Sequence, residues 1–300
     1  MSHNLQLKQV GVVGLGRMGR GIAQVSALAG YTVKAVDQEQ DLVDRGLELV
    51  GSSLQRMVQK GSLRERERDD ILSRINGTKE LEPLSDCDLI IEAVFEDLEV
   101  KKTLFRQLDG ICPPDTLFAS NTSSLSITRL ASGLSRIDKI LGMHFFNPVE
   151  AMKLVEIIKT VATSSEAIQT VLNFVRSLKK EPILVRDQAG FLVNFLLTPY
   201  LFDAIRALSA GLSTVQEIDK GMRYGCGHPM GPLALCDLIG LDILMNAGNI
   251  LFEEYHEGKY APPPLLKRLV ELGELGVKAG RGFYDYQDPK NPQPRNFKEF

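Results

Sequence analysis

Apolar and polar positions alternate in a regular order near the amino terminus. An apolar run without a charge fills residues 10–13, as is typical of a strand covered on both faces of a parallel sheet. Glycines follow at 14, 16 and 19, and apolar residues from Met18 to Ala29 then recur at helical spacing. A second apolar run, residues 32–36, ends at Asp37. This order predicts a strand, a tight turn, a helix, a second strand and a terminal carboxylate.

The glycines have the spacing G-x-G-x-x-G, which allows a tight turn, a close approach of backbone to a pyrophosphate and close packing of helix on strand. A glycine loop alone is also compatible with a turn that binds nothing. Asp37 lies about twenty residues beyond the glycines, where such an acid accepts both ribose hydroxyls of an adenosine. We therefore expect a dinucleotide site, and NAD rather than NADP, because a 2′-phosphate would face a carboxylate.

Two helices are predicted next, outside the sheet. Apolar residues from Val43 to Met57 recur at spacings of three and four, which indicates an amphipathic helix to about Lys60. Gly61 breaks the pattern, and Ser62 to Glu65 has the S-x-x-E form of a capping box. We expect a second, charged helix from there through Arg74, so that the pair forms an inserted helical hairpin.

Strand and helix patterns continue to alternate up to about residue 187. Apolar strands are predicted at 89–94, 116–120, 140–145, 153–159 and 183–186, with helices after Asp97 and at 165–180. This alternation predicts an α/β, Rossmann-type, doubly wound and mainly parallel sheet.

The pattern beyond residue 187 is helical only. Helices are predicted at 190–209 with a kink near Pro199, at 214–224 with Ser213 as cap, at 232–239, after 241 and at 265–273. Two domains follow: 1–187, which binds NAD, and 188–300, an all-α domain for substrate and dimerisation. Apolar residues surround the helix at 190–209 on all sides, so it either fills the centre of the second domain or lies in a subunit interface.

The composition and charge of the chain argue against several classes of protein. The chain has 300 residues and a net charge of −3, with no long basic tract that would favour nucleic acid. It has no run of eighteen apolar residues and no secretory leader pattern, so we expect a cytoplasmic protein without a membrane anchor. Its four cysteines form no C-x-x-C pair and it has four histidines, so neither a metal site nor a disulfide framework is expected.

Polar residues that follow strands are the candidates for chemistry, since ligands of a doubly wound sheet bind at the carboxyl ends of its strands. A histidine and a glutamate on neighbouring strands can form a general base pair, in which the acid fixes the imidazole tautomer. Each residue taken alone also has a structural explanation, such as a core histidine, an edge-strand acid or a helix cap. The four candidates are Ser123, His144, Glu156 and Asn194.

These residues lie in motifs that resemble the short-chain L-3-hydroxyacyl-CoA dehydrogenases, a family that includes bacterial 3-hydroxybutyryl-CoA dehydrogenase. The motifs occur in the family's order over nearly the whole chain. They are SNTSSL (120–125), GMHFFNPVEAMKLVEII (142–158), GFLVN (190–194), HPMGPLALCDLIGLD (228–242) and GRGFYDY (280–286).

The resemblance implies reversible hydride transfer between C3 of an L-3-hydroxyacyl-CoA and NAD, in fatty acid metabolism such as β-oxidation. His144 would take the proton of the 3-hydroxyl, Glu156 would orient the imidazole, and Ser123 and Asn194 would bind the C3 oxygen. A homodimer through the helical domain is also implied.

The resemblance further implies a set of cofactor and substrate contacts. Ser53 and Lys60 on the inserted helix would meet the CoA. The NAD contacts would be Gly14, Leu15, Gly16, Arg17, Met18, Gly19, Asp37, Glu96, Lys101 and Asn121.

Other functions remain open at this point. Residues 14–19 also resemble the loop of the 3-hydroxyisobutyrate and 6-phosphogluconate dehydrogenases, but the lysine those enzymes need after the later glycine motif is not found after Gly190. The L-gulonate dehydrogenase and lambda-crystallin relatives share the framework and the His–Glu pair. A dicarboxyl substrate such as 3-hydroxyadipyl-CoA, and a non-catalytic NAD-binding protein, are the further alternatives.

Overall fold

The structure, a computed structural model, describes residues 7–297; residues 1–6 and 298–300, the outer ends of the two predicted domains, lie outside it. The chain forms two compact units, one ending at Gln188 and the other beginning at Ala189.

The first unit is built on one eight-stranded sheet. Its order is β3-β2-β1-β4-β5-β6-β7-β8, and every neighbouring pair is parallel except β6 and β7, which are antiparallel. The strands are β1 Gln9–Val13, β2 Thr32–Val36, β3 Ile75–Thr78, β4 Leu89–Glu92, β5 Leu117–Ser120, β6 Ile140–Phe145, β7 Leu154–Lys159 and β8 Glu181–Arg186.

Six α-helices accompany this sheet in the described part of the first unit. They are α1 Arg17–Leu28, α2 Gln40–Gln59, α3 Glu65–Leu72, α4 Leu98–Ile111, α5 Ile127–Ala131 and α6 Ser165–Ser177. Asp97 caps α4 as predicted, since its carboxylate accepts the N–H groups of Glu99 and Val100. The doubly wound, mainly parallel Rossmann-type fold with an inserted hairpin, α2 and α3, is confirmed.

Local expectations about the hairpin were wrong in two places. The cap of α3 is Arg64 and not Ser62, because the Glu67 carboxylate accepts the Arg64 N–H at 2.9 Å while the Ser62 hydroxyl donates to Met57 O. The helix also ends at Leu72, two residues before Arg74, and the chain then forms β3. This strand was missed because only one of its four residues, Ile75, is buried and apolar.

The second unit is helical. Its helices are α7 Val193–Ser209, α8 Val215–Cys226, α9 Pro232–Ile239, α10 Leu241–Tyr255 and α11 Pro264–Glu271. The helix predicted from 190 begins at Val193, since Gly190 and Phe191 have positive φ values of 76° and 48°. The cap of α8 is Thr214 and not Ser213, because the Thr214 hydroxyl accepts the Glu217 N–H. A short antiparallel ribbon, β9 Tyr284–Asp285 and β10 Gln293–Pro294, is an addition that the sequence pattern did not indicate.

Two buried aspartates tie the helices of this unit together. Asp219 on α8 accepts the N–H groups of Leu233 and Ala234 at the start of α9. Asp237 on α9 accepts the N–H groups of Phe283 and Tyr284. These bonds join three separate segments of the chain, so each aspartate satisfies backbone donors that would otherwise be buried without a partner.

No single helix among residues 7–297 is long and apolar enough to span a membrane. The two neighbours α9 and α10 reach that length only when they are taken together, and a bend of 95° separates them.

Candidate active site

His144 and Glu156 form a buried pair on adjacent antiparallel strands. They are direct partners in the register of β6 and β7, and His144 Nδ1 lies 2.6 Å from Glu156 Oε2. The residues are 6 % and 0 % exposed. A buried carboxylate bonded to one ring nitrogen fixes the tautomer and orientation of the imidazole, which is the arrangement that a general base requires.

The loop after β5 approaches β6 through Asn121. Its side-chain oxygen accepts the N–H of Phe145, the residue after His144, at 3.0 Å, and its own N–H donates to Glu92 O. Ser123 follows two residues later and is exposed. The structure therefore brings the predicted residues Asn121 and Ser123 to the sheet edge where β6 carries His144.

Glu96 holds this loop in place. One of its carboxylate oxygens, Oε1, accepts the Thr122 hydroxyl at 2.5 Å and the Ser123 N–H at 3.0 Å. Although partial burial acts in the opposite direction, the charge of Lys101 and these hydrogen bonds lower the pKa of Glu96. Glu96 is thus an ionised acceptor that fixes the backbone on which Ser123 sits.

Lys101 lies behind Glu96 and not on an open surface. It is 1 % exposed, and its ammonium group lies 2.6 Å from Glu92 Oε1 and 3.0 Å from Glu96 Oε2. Glu92 is itself fully buried and also accepts the Ser120 hydroxyl at 2.6 Å, and burial raises its pKa. Glu92 was not among the predicted site residues, because a single glutamate after the run LII only interrupts an apolar pattern.

An open cleft of about 960 Å³ lies at the carboxyl ends of β1, β2 and β4. Five of the predicted cofactor residues line it, and they lie in the glycine motif, at the start of α1 or directly after β2. They are Gly14, Gly16, Arg17, Met18 and Asp37. The cleft is therefore where the predicted dinucleotide site should be in a doubly wound sheet.

The three glycines have different roles in forming this cleft. A Cβ at Gly14 would lie 2.6 Å from Ala93 O, and one at Gly19 would lie 1.6 Å from Gly14 O, so both positions require glycine for packing. A Cβ at Gly16 would meet no protein atom within 4 Å. The space above Gly16 is thus open to a ligand, at the residue that caps the amino end of α1.

A hydrogen bond between Leu15 and Asp37 holds the glycine loop against the end of β2. Leu15 is 4 % exposed, does not line the cleft, and donates its N–H to Asp37 Oδ2 at 2.7 Å. Asp37 also accepts the Gln38 N–H at 2.8 Å, so its carboxylate is fixed at the cleft wall. A fixed carboxylate at this edge, with bare backbone at Gly16, fits the ribose and pyrophosphate of NAD.

The cleft contains residues that the sequence analysis missed. Lys79 and Leu81 come from the segment after β3. The last residues of β2 and β3, Val36 and Thr78, are paired, so the residues that follow them, Asp37 and Lys79, leave the sheet side by side. Phe95, 80 % exposed, and Val100 provide apolar surface suited to an adenine ring. The missing signal was β3: with that strand recognised, Lys79 would have been placed at the carboxyl edge of the sheet.

The remaining predicted residues lie on separate elements. Ser53 is half-buried on α2, and Lys60 is exposed at its carboxyl end. Asn194 is the second residue of α7 in the second unit and is half-buried.

Comparison with known proteins gives two family matches that together span most of the chain. Residues 9–188 match the NAD binding domain of 3-hydroxyacyl-CoA dehydrogenase, and residues 190–286 match its C-terminal domain.

Individual relatives agree with these matches. A 3-hydroxybutyryl-CoA dehydrogenase of Mycobacterium tuberculosis is 46 % identical over 282 residues, 93 % of this chain and 99 % of its own length. The mitochondrial hydroxyacyl-coenzyme A dehydrogenase of Rattus norvegicus is 40 % identical, over 94 % of this chain and 92 % of its own length. The crystal structure of (S)-3-hydroxybutyryl-CoA dehydrogenase from Ralstonia eutropha superposes with a TM-score of 0.92 at 43 % identity, over 94 % of this chain and 100 % of that one. This chain belongs to the 3-hydroxyacyl-CoA dehydrogenase family of NAD-dependent oxidoreductases.

Proposed function

We propose that this protein catalyses the reversible NAD-dependent oxidation of a short-chain L-3-hydroxyacyl-CoA to the 3-oxoacyl-CoA. The observation that carries the proposal is the buried His144–Glu156 pair, with 2.6 Å between Nδ1 and Oε2. Its strand ends at the same sheet edge as the glycine loop. A base at this edge serves a reaction that removes a proton from a hydroxyl while hydride leaves the same carbon.

The proton transfer is assigned to the second nitrogen of the imidazole. Because Glu156 is bonded to Nδ1, the proposed acceptor of the 3-hydroxyl proton is Nε2 of His144. The developing imidazolium is stabilised by the Glu156 carboxylate next to it, and both side chains are buried. NAD, when bound, supplies the hydride acceptor. In the reverse direction His144 returns the proton to the C3 oxygen.

Four residues are proposed to bind the substrate. Ser123 and Asn194 are proposed to donate hydrogen bonds to the C3 oxygen, since a hydroxyl and an amide are suited to an oxygen whose charge changes. Ser53 and Lys60 on α2 are proposed to contact the CoA, whose phosphates would attract the exposed Lys60 ammonium. Glu96, Lys101 and Asn121 are proposed to act on NAD through the loop they fix.

An assay of NADH oxidation tests the proposal. We expect rapid turnover with acetoacetyl-CoA and little with L-gulonate as the substrate for NAD reduction. Turnover of L-gulonate alone would favour the lambda-crystallin-type alternative, and NADH binding without turnover of either would indicate a non-catalytic protein. 3-Hydroxyadipyl-CoA, assayed beside 3-hydroxybutyryl-CoA, distinguishes a dicarboxyl from a short-chain preference.

We further propose that the protein is cytoplasmic and forms a homodimer through the helical unit. We also propose that it acts in fatty acid metabolism such as β-oxidation, in which an acyl-CoA is oxidised at C3. The support for the dimer is apolar surface at α7 and α10: Leu192 is 43 %, Leu196 61 % and Ile243 55 % exposed. Sedimentation equilibrium tests it: a mass of twice 33.2 kDa is expected, and Leu196→Glu should shift the equilibrium toward the monomer.

A further inference from the structure

Lys180 is a buried cation whose partners are carbonyl oxygens. It is 6 % exposed, and its ammonium group donates to Val149 O at 2.5 Å and to Met152 O at 2.7 Å. Burial lowers its pKa, and the charge of the exposed Glu150 opposes that effect only in part. Burying a lysine is costly unless its hydrogen bonds are satisfied, so these two contacts must hold the group in place.

Both carbonyls belong to the segment that joins β6 to β7. This segment, residues 146–153, links the strand of His144 to the strand of Glu156. Lys180 itself lies just before β8, which pairs with β7 from Leu154 onward, and the Glu181 N–H donates to Lys153 O. The ammonium group therefore fixes the turn of the hairpin to the strand that flanks it.

The same segment also packs on the helix that follows the glycine loop. Val149 is 2 % exposed, and a Cβ added to Gly21 of α1 would lie 2.8 Å from Val149 Cβ. Val149 is thus held at two points, by its side chain on α1 and by its carbonyl on Lys180. Displacement of this one residue would move the hairpin relative to α1.

We propose that Lys180 is a positioning residue, which sets the distance between the His144–Glu156 pair and the dinucleotide cleft by fixing the β6–β7 turn against α1. The inference rests on the function proposed above. Hydride transfer depends steeply on the approach of donor and acceptor, and a displacement of about 1 Å costs on the order of 10²-fold in rate. A lysine that never touches substrate then governs turnover.

The test is Lys180→Met, which keeps the length of the side chain and removes the donors. We expect kcat for acetoacetyl-CoA reduction to fall by about 10- to 10²-fold while NADH affinity stays unchanged. The primary isotope effect with NADH deuterated at C4 should rise, because hydride transfer becomes the slow step. The matched control is Lys179→Met, since Lys179 is the preceding residue and is exposed; it should behave as the wild type.

The possible results separate the inference from the function on which it rests. No turnover by the wild type would refute the proposed function, whereas wild-type kcat and isotope effect in a folded Lys180→Met variant would refute only the positioning role. Should that variant fail to fold, Val149→Ala removes the two methyl groups that Val149 packs beside Gly21 and keeps both carbonyls. A raised isotope effect there supports the inference, and lost stability with unchanged kcat overturns it.

Discussion

His144 and Glu156 are direct cross-strand partners in the one antiparallel pair of the eight-stranded sheet, and this places Nδ1 2.6 Å from Oε2. Paired positions on the same face of a sheet bring side chains into contact without a long connection. Both side chains are buried, so the carboxylate is weakly screened by water where it meets the imidazole.

Glu156→Gln tests the contribution of the carboxylate charge. The amide keeps the shape of the side chain but loses the charge that stabilises the imidazolium, so we expect kcat to fall by about 10²- to 10⁴-fold. NADH affinity, measured by fluorescence titration, should not change. Glu166→Gln, at an exposed acid on α6, is the control; equal NAD-saturated turnover of Glu156→Gln and wild type would refute the pair.

Gly16→Ala tests the pyrophosphate site. The new methyl group meets no protein atom within 4 Å, so the midpoint of thermal unfolding without ligand should stay as in the wild type. The methyl would occupy the space through which backbone approaches the pyrophosphate, and we expect NADH to bind at least about 10-fold more weakly. Gly51→Ala on α2 is equally unhindered and is the control. Unchanged NADH affinity in Gly16→Ala would place the dinucleotide elsewhere.

Asp37→Ser tests the choice between cofactors. Removing the carboxylate should raise the NADP-to-NAD ratio of kcat/KM, because the repulsion of a 2′-phosphate is lost. Lys79 lines the same cleft and is exposed, so its ammonium should then attract that phosphate. The double variant Asp37→Ser, Lys79→Gln should lose part of the gain. A ratio that stays at the wild-type value in Asp37→Ser would contradict the assignment of Asp37.

Lys101→Met tests the buried network behind the loop of Ser123. It leaves the carboxylates of Glu92 and Glu96 without their shared cation, and breaking a buried ion pair by removing one partner costs about 3–5 kcal/mol. We expect urea denaturation to show a loss of that size in the free energy of unfolding. Lys102→Met removes a neighbouring, more exposed lysine and should change it little. Similar losses in both variants would mean that the network contributes no more than surface charge.

The stability of the helical unit should depend on pH through Asp237. Burial raises the pKa of Asp237 from 3.8 to about 6, and it also raises the pKa of the neighbouring Asp219. Between these values the folded state keeps a proton that the unfolded state has lost, so the contribution is full below about pH 4 and is lost as the pH rises through 6.

The corresponding variant is Asp237→Asn, which cannot titrate there. Relative to it, the free energy of unfolding of the wild type should fall by about 2 kcal/mol between pH 4 and pH 7. Parallel curves for the two proteins would show that Asp237 has the same proton affinity folded and unfolded.

Much of the fold could be predicted from the sequence because its signals are local. The run VGVV before the glycines and the run ILGMHF predict buried strands, and Asp97 caps a helix by its own side chain. β3 could not be found in this way, because INGT has one buried residue and is a strand only through its pairing with β2. The caps Arg64 and Thr214 differ from the predicted serines because several nearby polar residues satisfy the same local rule.

The site residues fall into the same two groups, those that a local sequence pattern predicts and those whose roles depend on tertiary pairing. The His144–Glu156 pair was expected from two polar residues in apolar strands, which need a reason to be buried. Lys79, Glu92 and Lys180 were not predicted, because their roles depend on the order of the strands in the sheet. Such neighbour relations come from tertiary pairing and are not visible in hydrophobic periodicity.

The most direct test of the central claim is the single-turnover rate of NADH oxidation after rapid mixing with excess acetoacetyl-CoA, for the wild type and for His144→Gln. If His144 exchanges the proton of the C3 oxygen, the variant should bind NADH normally and react about 10²- to 10⁴-fold more slowly. Equal single-turnover rates for the two proteins would contradict this role of His144.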